Sequence, residues 1–489
     1  MPEPVSRLVC SPYNAQAIAT SSSPASLEDH VTTSNSPKIT IIGAGGVVFP
    51  MRLMGDMLSF PALQSASYSL MDIELSRAER TSGMARELAT HYGFTAKIDA
   101  TDDLRTALTD ADYVIITFQV GGVDAWLIDY EIPVKYGIDQ AVGDTLGPGG
   151  VFRFLRSVNA YRDIADLIHE LCPNVQVINY ANPMAMACWY LKDRGIDAVG
   201  LCHSVQGTSR MLARALDVPY EEVTYNSAGI NHQAWFTTFK HGNEDLYPRI
   251  RETMVRRHLG RAPVDSIAPD TGDHSDADRG DTAYEGGNES VRTAIMDTFG
   301  YFHTESTHHA SEYLPYFRKT EALIRQYIPE RWGFTKERLE RVPEDMDRKK
   351  LDELKQELAP SLEYGAHIIN SMETGEPTVI YGNVANRGLI DNLPSDCIVE
   401  VACLVDGNGV QPTRYGELPP QCAAVNQTNI NVQRLAVHAA NTGSRAAAEQ
   451  AVALDPLTST ILTLDQIRAM TNELINAHAT LLKGTLTTA

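Results

Sequence analysis

From Lys38 onward the chain alternates strand-like and helix-like segments. It opens with the β-branched run Lys38-Ile39-Thr40-Ile41-Ile42, turns through Gly43-Ala44-Gly45-Gly46, and then places apolar residues at helical spacing from Val47 to Phe60. A strand, a tight glycine turn and a helix in that order restrict the fold, because a helical crossover returns the chain to a parallel neighbouring strand. Ser67 to Met71 reads as the second strand and Leu75 to His91 as an amphipathic helix. Tyr113 to Phe118 and Val175 to Tyr180 read as further buried strands, with a helical pattern from Val151 to Leu171 between them. The alternation predicts an α/β fold: a Rossmann-like, doubly wound parallel sheet over residues 38–225, its strands ending near Leu201.

Beyond about residue 225 the alternation stops. Long helical patterns run from Leu354 to Met372, Leu435 to Ala453 and Leu464 to Leu482, and strand patterns from Thr378 to Val384 and Ile398 to Val405. An α+β domain over 226–489 is expected, carrying substrate, metal and oligomer contacts. Residues 1–37, rich in Ser, Thr and Pro, hold too little apolar matter to offset ordering entropy and read as a disordered tail. Residues 265–290 carry six aspartates without the ordered spacing or closing Glu of a calcium loop, so a solvated acidic loop is expected.

Lys and Arg number 41 against 62 Asp and Glu, a net charge of −21 that repels phosphate backbones and anionic membranes. Nucleic acid and membrane are therefore not expected as partners. The seven cysteines are odd in number and scattered, as in a reducing compartment, and residues 1–37 show neither a basic leader nor an apolar h-region. Both features predict a cytoplasmic protein.

The glycine turn follows a strand and opens a helix, where backbone amides and the positive dipole end can face a pyrophosphate. Gly43 and Gly45 match the dinucleotide fingerprint, Gly46 lies beside them, and Val48 replaces the third glycine. Asp72 ends the second strand, where a carboxylate accepts from the adenosine ribose and repels a 2′-phosphate. NAD is therefore expected rather than NADP. Cys202 and His232 both lie where the chain leaves a strand or turn, and a sparse Cys and His set leaves a divalent ion open positions for substrate oxygens. Each alone reads as readily as a core cysteine or a structural histidine. Asn182, in Ala181-Asn182-Pro183, follows a strand into the same crevice, where its amide is a candidate for a sugar hydroxyl or a metal, against the reading of a plain Asn-Pro turn. Asp144, in a glycine-rich loop, is a second substrate-binding candidate, against the reading of a helix cap near Val151.

These segments together resemble glycoside hydrolase family 4. The resemblance is carried by Gly43-Ala44-Gly45, Asp144-Thr145-Leu146-Gly147-Pro148-Gly149-Gly150, Asn182-Pro183-Met184, Cys202-His203-Ser204-Val205 and Gly229-Ile230-Asn231-His232, and it extends over roughly residues 38–485. The Cys-His-Ser-Val form is similar to that of the bacterial α-galactosidases of the melibiase type. Gly46, where many members have Ser, departs from the pattern. The resemblance implies NAD and a divalent metal, commonly manganese, with Cys202 and His232 as metal ligands. It implies oxidation of the sugar at C3, loss of the C2 proton, elimination at C1, addition of water and re-reduction, an exception to hydrolysis by two carboxylates. It also implies His203 as the group protonating the leaving oxygen, beside an alternative structural role next to the metal. The C2 base falls among Tyr301, Glu305, His308, His309, Glu312 and Tyr313, and family members are commonly dimers or tetramers. An α-glucosidase, α-glucuronidase or α-galacturonidase of the same family is the near alternative. From other classes the rivals are an NAD-dependent 2-hydroxyacid dehydrogenase, since the first domain looks like that of lactate and malate dehydrogenases, and a noncatalytic NAD sensor.

Overall fold

A computed structural model describes residues 36–256, 289–329 and 346–487. The expected tail and acidic loop lie outside the described residues but for the last two residues of each.

Six parallel strands form the first part of the sheet: β1 (Lys38–Ile42), β2 (Ser67–Met71), β3 (Lys97–Thr101), β4 (Tyr113–Ile116), β5 (Gln176–Asn179) and β6 (Ala198–Gly200). They lie in the order β3-β2-β1-β4-β5-β6. That is the doubly wound order, and its reversal between β1 and β4 opens a crevice at the carboxyl ends of the strands. Register follows burial. Ile39 pairs with Tyr68 and Tyr113, Ile41 with Leu70 and Ile115, and all are nearly or wholly buried. Helices cover both faces, so the strands are close to continuously apolar rather than alternating.

The sheet does not stop at β6. An antiparallel extension adds β7 (Val223–Ile230), β8 (Gln233–His241), β10 (Phe302–His303), β11 (Thr378–Ala385) and β12 (Ile398–Asp406), in the order β10-β8-β7-β12-β11-β6. Asn383 of β11 sits opposite Gly200 of β6, and Glu400 of β12 opposite Gly229 of β7. The sheet thus runs unbroken across residue 225, and the antiparallel strands bring β7 to the same end of the sheet as β6. Short strands β9 (Glu244–Asp245) and β13 (Gly409–Pro412) pair with β8 and β12.

Two expected helices are each divided. The pattern from Leu354 to Met372 forms helices Met346–Gln356 and Tyr364–Thr374, because Pro360 cannot donate within a helix and the chain around it is not helical. The pattern from Leu435 to Ala453 forms Pro420–Thr442 and Arg445–Leu454, divided at Gly443, which adopts φ +71. The hairpin of β7 and β8 was not expected from sequence. None of the six described cysteines is paired, and no helix among the described residues is long and apolar enough to cross a membrane.

Candidate active site

The glycine turn packs tightly against β2 and β4. Gly43 has φ +93, and a Cβ there would lie 2.6 Å from Phe118 N. Gly45 donates its N–H to Asp72 Oδ2 at 2.9 Å, and a Cβ on Gly45 would run into that carboxylate. Gly46 is under no such demand, its nearest neighbour to a Cβ being Pro50 at 3.4 Å. Helix α1 (Phe49–Ser59) then starts with no side-chain cap and no acid in its first turn. The carboxylate of Asp347 has come to this helix start. It accepts from Val48 N–H and pairs with Arg80 Nε at 3.1 Å. A site that draws in a carboxylate through a helix N-terminus and an arginine fits the pyrophosphate of a dinucleotide. Asp72 Oδ1 accepts from Glu74 N–H at 3.0 Å, so each oxygen has one backbone donor and retains capacity for a ribose hydroxyl.

At the far side of the crevice Cys202 follows β6, and His232 sits in the turn between β7 and β8 at φ +59. Glu305 joins them. Its Oε2 lies 3.4 Å from His232 Nε2 and 3.8 Å from Cys202 Sγ, and one donor atom from each residue falls within 4.8 Å of the others. All three are buried, and His232 Nδ1 has no hydrogen-bond partner. Burial pushes the Cys202 thiol well up, with Glu305 and Glu400 adding to the shift. Burial also holds His232 down at about 4, against the pull of Glu305. Burial would push Glu305 up too, but His232, His309 and the Ser306 N–H at 2.8 Å outweigh it and keep the carboxylate ionised. A carboxylate, an imidazole and a thiol converging in a buried pocket fit a divalent transition metal, whose charge would release the thiol proton.

Asp144 and Asn182 are brought together. Asn182 Nδ2 donates to Asp144 Oδ2 at 3.4 Å, and Arg153 ties both, pairing with Asp144 at 3.3 Å and donating to the Asn182 carbonyl at 3.1 Å. Asp144 Oδ1 and Asn182 Oδ1 are buried without hydrogen-bond partners. Two orphaned acceptors held by one arginine suit hydroxyl donors of a ligand. The helix after Asp144 begins at Gly147 with Leu146 at its N-cap position, so Asp144 is not its cap.

The segment that contained the base candidates divides by position. Glu305 belongs to the trio. His309 stacks at a tilt on His232, centroids 4.6 Å apart, and its Nδ1 lies 3.7 Å from Glu312 Oε2. Glu312 Oε1 in turn accepts from the N–H groups of Ala141, Val142 and Gly143. Tyr313 lies 6.0 Å from the His232 ring, and burial holds its phenol well up, with Asp144 and Glu305 adding to the shift. The Tyr301 ring stands edge-on to Tyr247 instead. His203 ends the loop before helix Ser204–Ala215, half exposed, its Nδ1 3.8 Å from Glu363 Oε1.

Sequence reasoning missed Arg153, Glu363 and Glu400. Arg153 lies on a helix face and carried no signal. Glu400 did carry one: a lone acid inside Ile398-Val399-Glu400-Val401, on a strand too apolar to face water.

The sequence model of family 4 glycosyl hydrolases matches residues 38–218, and that of the family's C-terminal domain matches residues 227–458. The chain belongs to glycosyl hydrolase family 4. It is a glycoside hydrolase. The chain is 39% identical to an α-galactosidase of Bacillus subtilis, over 90% of this chain and 98% of that protein. A putative glucosidase of B. subtilis superposes with a TM-score of 0.76 at 28% identity, over 90% of this chain and 99% of the other. A 6-phospho-β-glucosidase of Thermotoga maritima, solved with manganese, NAD+ and glucose-6-phosphate, superposes at 0.71 with 19% identity, over 93% and 100% of the two chains, and shares the fold.

Proposed function

We propose that the protein hydrolyses α-galactosides, using NAD and a divalent cation, with manganese the best fit. The observation that carries this reading is the buried convergence of Cys202, His232 and Glu305 beside β6, in a sheet whose glycine turn suits a dinucleotide. Its likeness over nearly full length to an α-galactosidase supports the choice of sugar.

Cys202, His232 and Glu305 would hold the cation, Gly43, Gly45 and Gly46 the pyrophosphate, and Asp72 the adenosine ribose. When bound, the nicotinamide supplies a hydride acceptor for sugar C3 and the cation a Lewis acid for the C2 and C3 oxygens, which makes the C2 proton labile. The remaining work falls to the chain's own side chains. Asp144 Oδ1 and Asn182 Oδ1 accept from sugar hydroxyls and fix the ring, with Arg153 bracing both. His309 takes the C2 proton at Nε2, with Glu312 Oε2 3.7 Å from its Nδ1 and that glutamate anchored by three backbone amides. Tyr313, whose ring lies 6.0 Å from that of His232, donates a hydrogen bond to the sugar instead. His203 gives a proton to the departing oxygen.

The test is a panel of nitrophenyl α-galactoside, α-glucoside and α-galacturonide, each with NAD and manganese under reducing conditions. Turnover highest on the galactoside and dependent on both additions is expected. Preference for another sugar would move the enzyme to a neighbouring specificity. Stoichiometric NADH release without hydrolysis would favour the dehydrogenase reading.

A further inference from the structure

The interruption that Pro360 introduces between helices Met346–Gln356 and Tyr364–Thr374 has a consequence for the site, because it delivers a buried carboxylate to His203. Glu363 Oε1 lies 3.8 Å from His203 Nδ1, the carboxylate side chain 8% exposed and the imidazole 53%. The carboxylate is held from behind. The Tyr180 hydroxyl is hydrogen-bonded to Glu363 and accepts from Gly365 N–H at 2.9 Å. Residue 365 is a glycine where it must be, since a Cβ there would lie 2.8 Å from that hydroxyl. The backbone of the loop is fixed as well. Ser361 donates its N–H and hydroxyl to the two oxygens of Asp56, at 2.8 and 2.7 Å, and accepts from Glu363 N–H at 3.2 Å. Asp56 stands on α1, the helix opened by the glycine turn. A carboxylate buried at this cost, on a loop clamped at two points, is aimed rather than incidental.

We propose that Glu363 is the positioning carboxylate of His203. It engages Nδ1 and leaves Nε2 toward the sugar, as a carboxylate orients the histidine of a hydrolytic triad. The proposal rests on the reading of His203 as the proton donor. In that step the Nε2–H proton passes to the glycosidic oxygen, which takes the bonding pair of the breaking C1–O bond and leaves as an alcohol. At 3.8 Å the two groups make an ion-pair contact longer than a hydrogen bond. With Glu312 behind His309, two histidine and glutamate pairs then flank the trio.

A double-mutant cycle decides it, read on methyl α-galactoside, whose leaving group needs protonation, and on 4-nitrophenyl α-galactoside, whose leaving group needs it far less. Glu363→Gln should lower kcat on the methyl glycoside by roughly 10- to 100-fold, at or below the range for loss of acid–base assistance, with KM little changed. The nitrophenyl glycoside should suffer less. In a His203→Ala background the same substitution should cost nothing further. Tyr180→Phe should give a milder loss with the same pattern and serves if Glu363→Gln does not fold, as judged by melting and NAD titration. An equal loss in both backgrounds, or on both substrates, would make Glu363 a structural residue and overturn the proposal. A fully active His203→Ala enzyme would overturn the donor reading itself, and the pairing with it, by a result that the first failure cannot produce.

Discussion

Glu305 Oε2 lies 3.4 Å from His232 Nε2, although the two residues come from different strands' ends and are 73 positions apart in sequence. The pairing of β10 with β8 makes this contact. His303 sits opposite Trp235, and the chain leaving β10 carries Glu305 back over the turn that holds His232. The third member, Cys202, arrives from the parallel half of the sheet. In the proposed site, metal affinity is therefore tied to the junction between the parallel and antiparallel parts, since neither half alone supplies all three donors.

Removal of the cation should abolish turnover, and manganese should restore it better than magnesium, which accepts thiolate poorly. Glu305→Gln and Cys202→Ser should each weaken manganese binding by more than the ~10- to 100-fold typical of residues behind a ligand. Calorimetric titration of the chelated protein measures this. Unchanged affinity in either variant would remove that residue from the coordination set.

Asp72 should favour NAD over NADP. Asp72→Ser should weaken NAD by about tenfold, equivalent to about 1.4 kcal/mol, and narrow the gap to NADP as ribose bonds and phosphate repulsion vanish together. Fluorescence titration of both cofactors reads it. The carboxylate also accepts from Gly45 and Glu74, so melting temperature should be followed to separate a loosened turn from a lost ribose contact. Equal affinity for both cofactors in the unmodified protein would contradict the assignment.

Much of this site was legible in the residues, and the reasons differ by position. Gly43, Gly45 and Asp72 belong to a local βα pattern whose periodicity reports the fold directly. Cys202, His232, Asn182 and Asp144 stood out because their chemistry or glycine-rich surroundings were unusual for plain connections. Glu305 was named only as one of six, since nothing local distinguishes a carboxylate that meets a metal pocket from one that meets water. Glu363 was not legible at all. A continuous helical pattern from Leu354 to Met372 conceals the loop that carries it, and only Pro360, which cannot donate within a helix, marks the break.

Glu400 predicts a pH dependence of stability. Burial pushes its carboxyl up to about 8 from the ordinary 4.5, with Glu305 adding and the Asn383 amide, 3.2 Å away, opposing. A folded pKa above the unfolded one contributes stability that is full below about 4.5 and is lost as pH rises through about 8. Melting temperature of the metal-free protein should therefore fall by a few degrees between pH 5 and pH 8.5 relative to Glu400→Gln, since a tenfold difference in proton affinity between the folded and unfolded chains is worth about 1.4 kcal/mol. Parallel profiles for the two proteins would show that the carboxyl is not protonated in the fold.

Oxidation and elimination leave a trace that direct hydrolysis does not. If the C2 proton leaves during turnover and exchanges with solvent, galactose released in deuterium oxide should carry deuterium at C2, and C2-deuterated substrate should react more slowly wherever that step limits the rate. The proposed function gives the transfer to His309, whose Nδ1 lies 3.7 Å from Glu312 Oε2. His309→Gln should then lower kcat by about 10²- to 10⁴-fold, with NAD and manganese binding kept. Tyr313→Phe should act mainly on KM, since it removes a donor to the sugar rather than the proton acceptor. Product mass spectrometry and kinetics of the two variants read the outcome together. Full hydrolysis with no carbon-bound deuterium would exclude elimination, whereas deuterium at C2 with the larger kcat loss in Tyr313→Phe would keep the chemistry and move the base to the phenol.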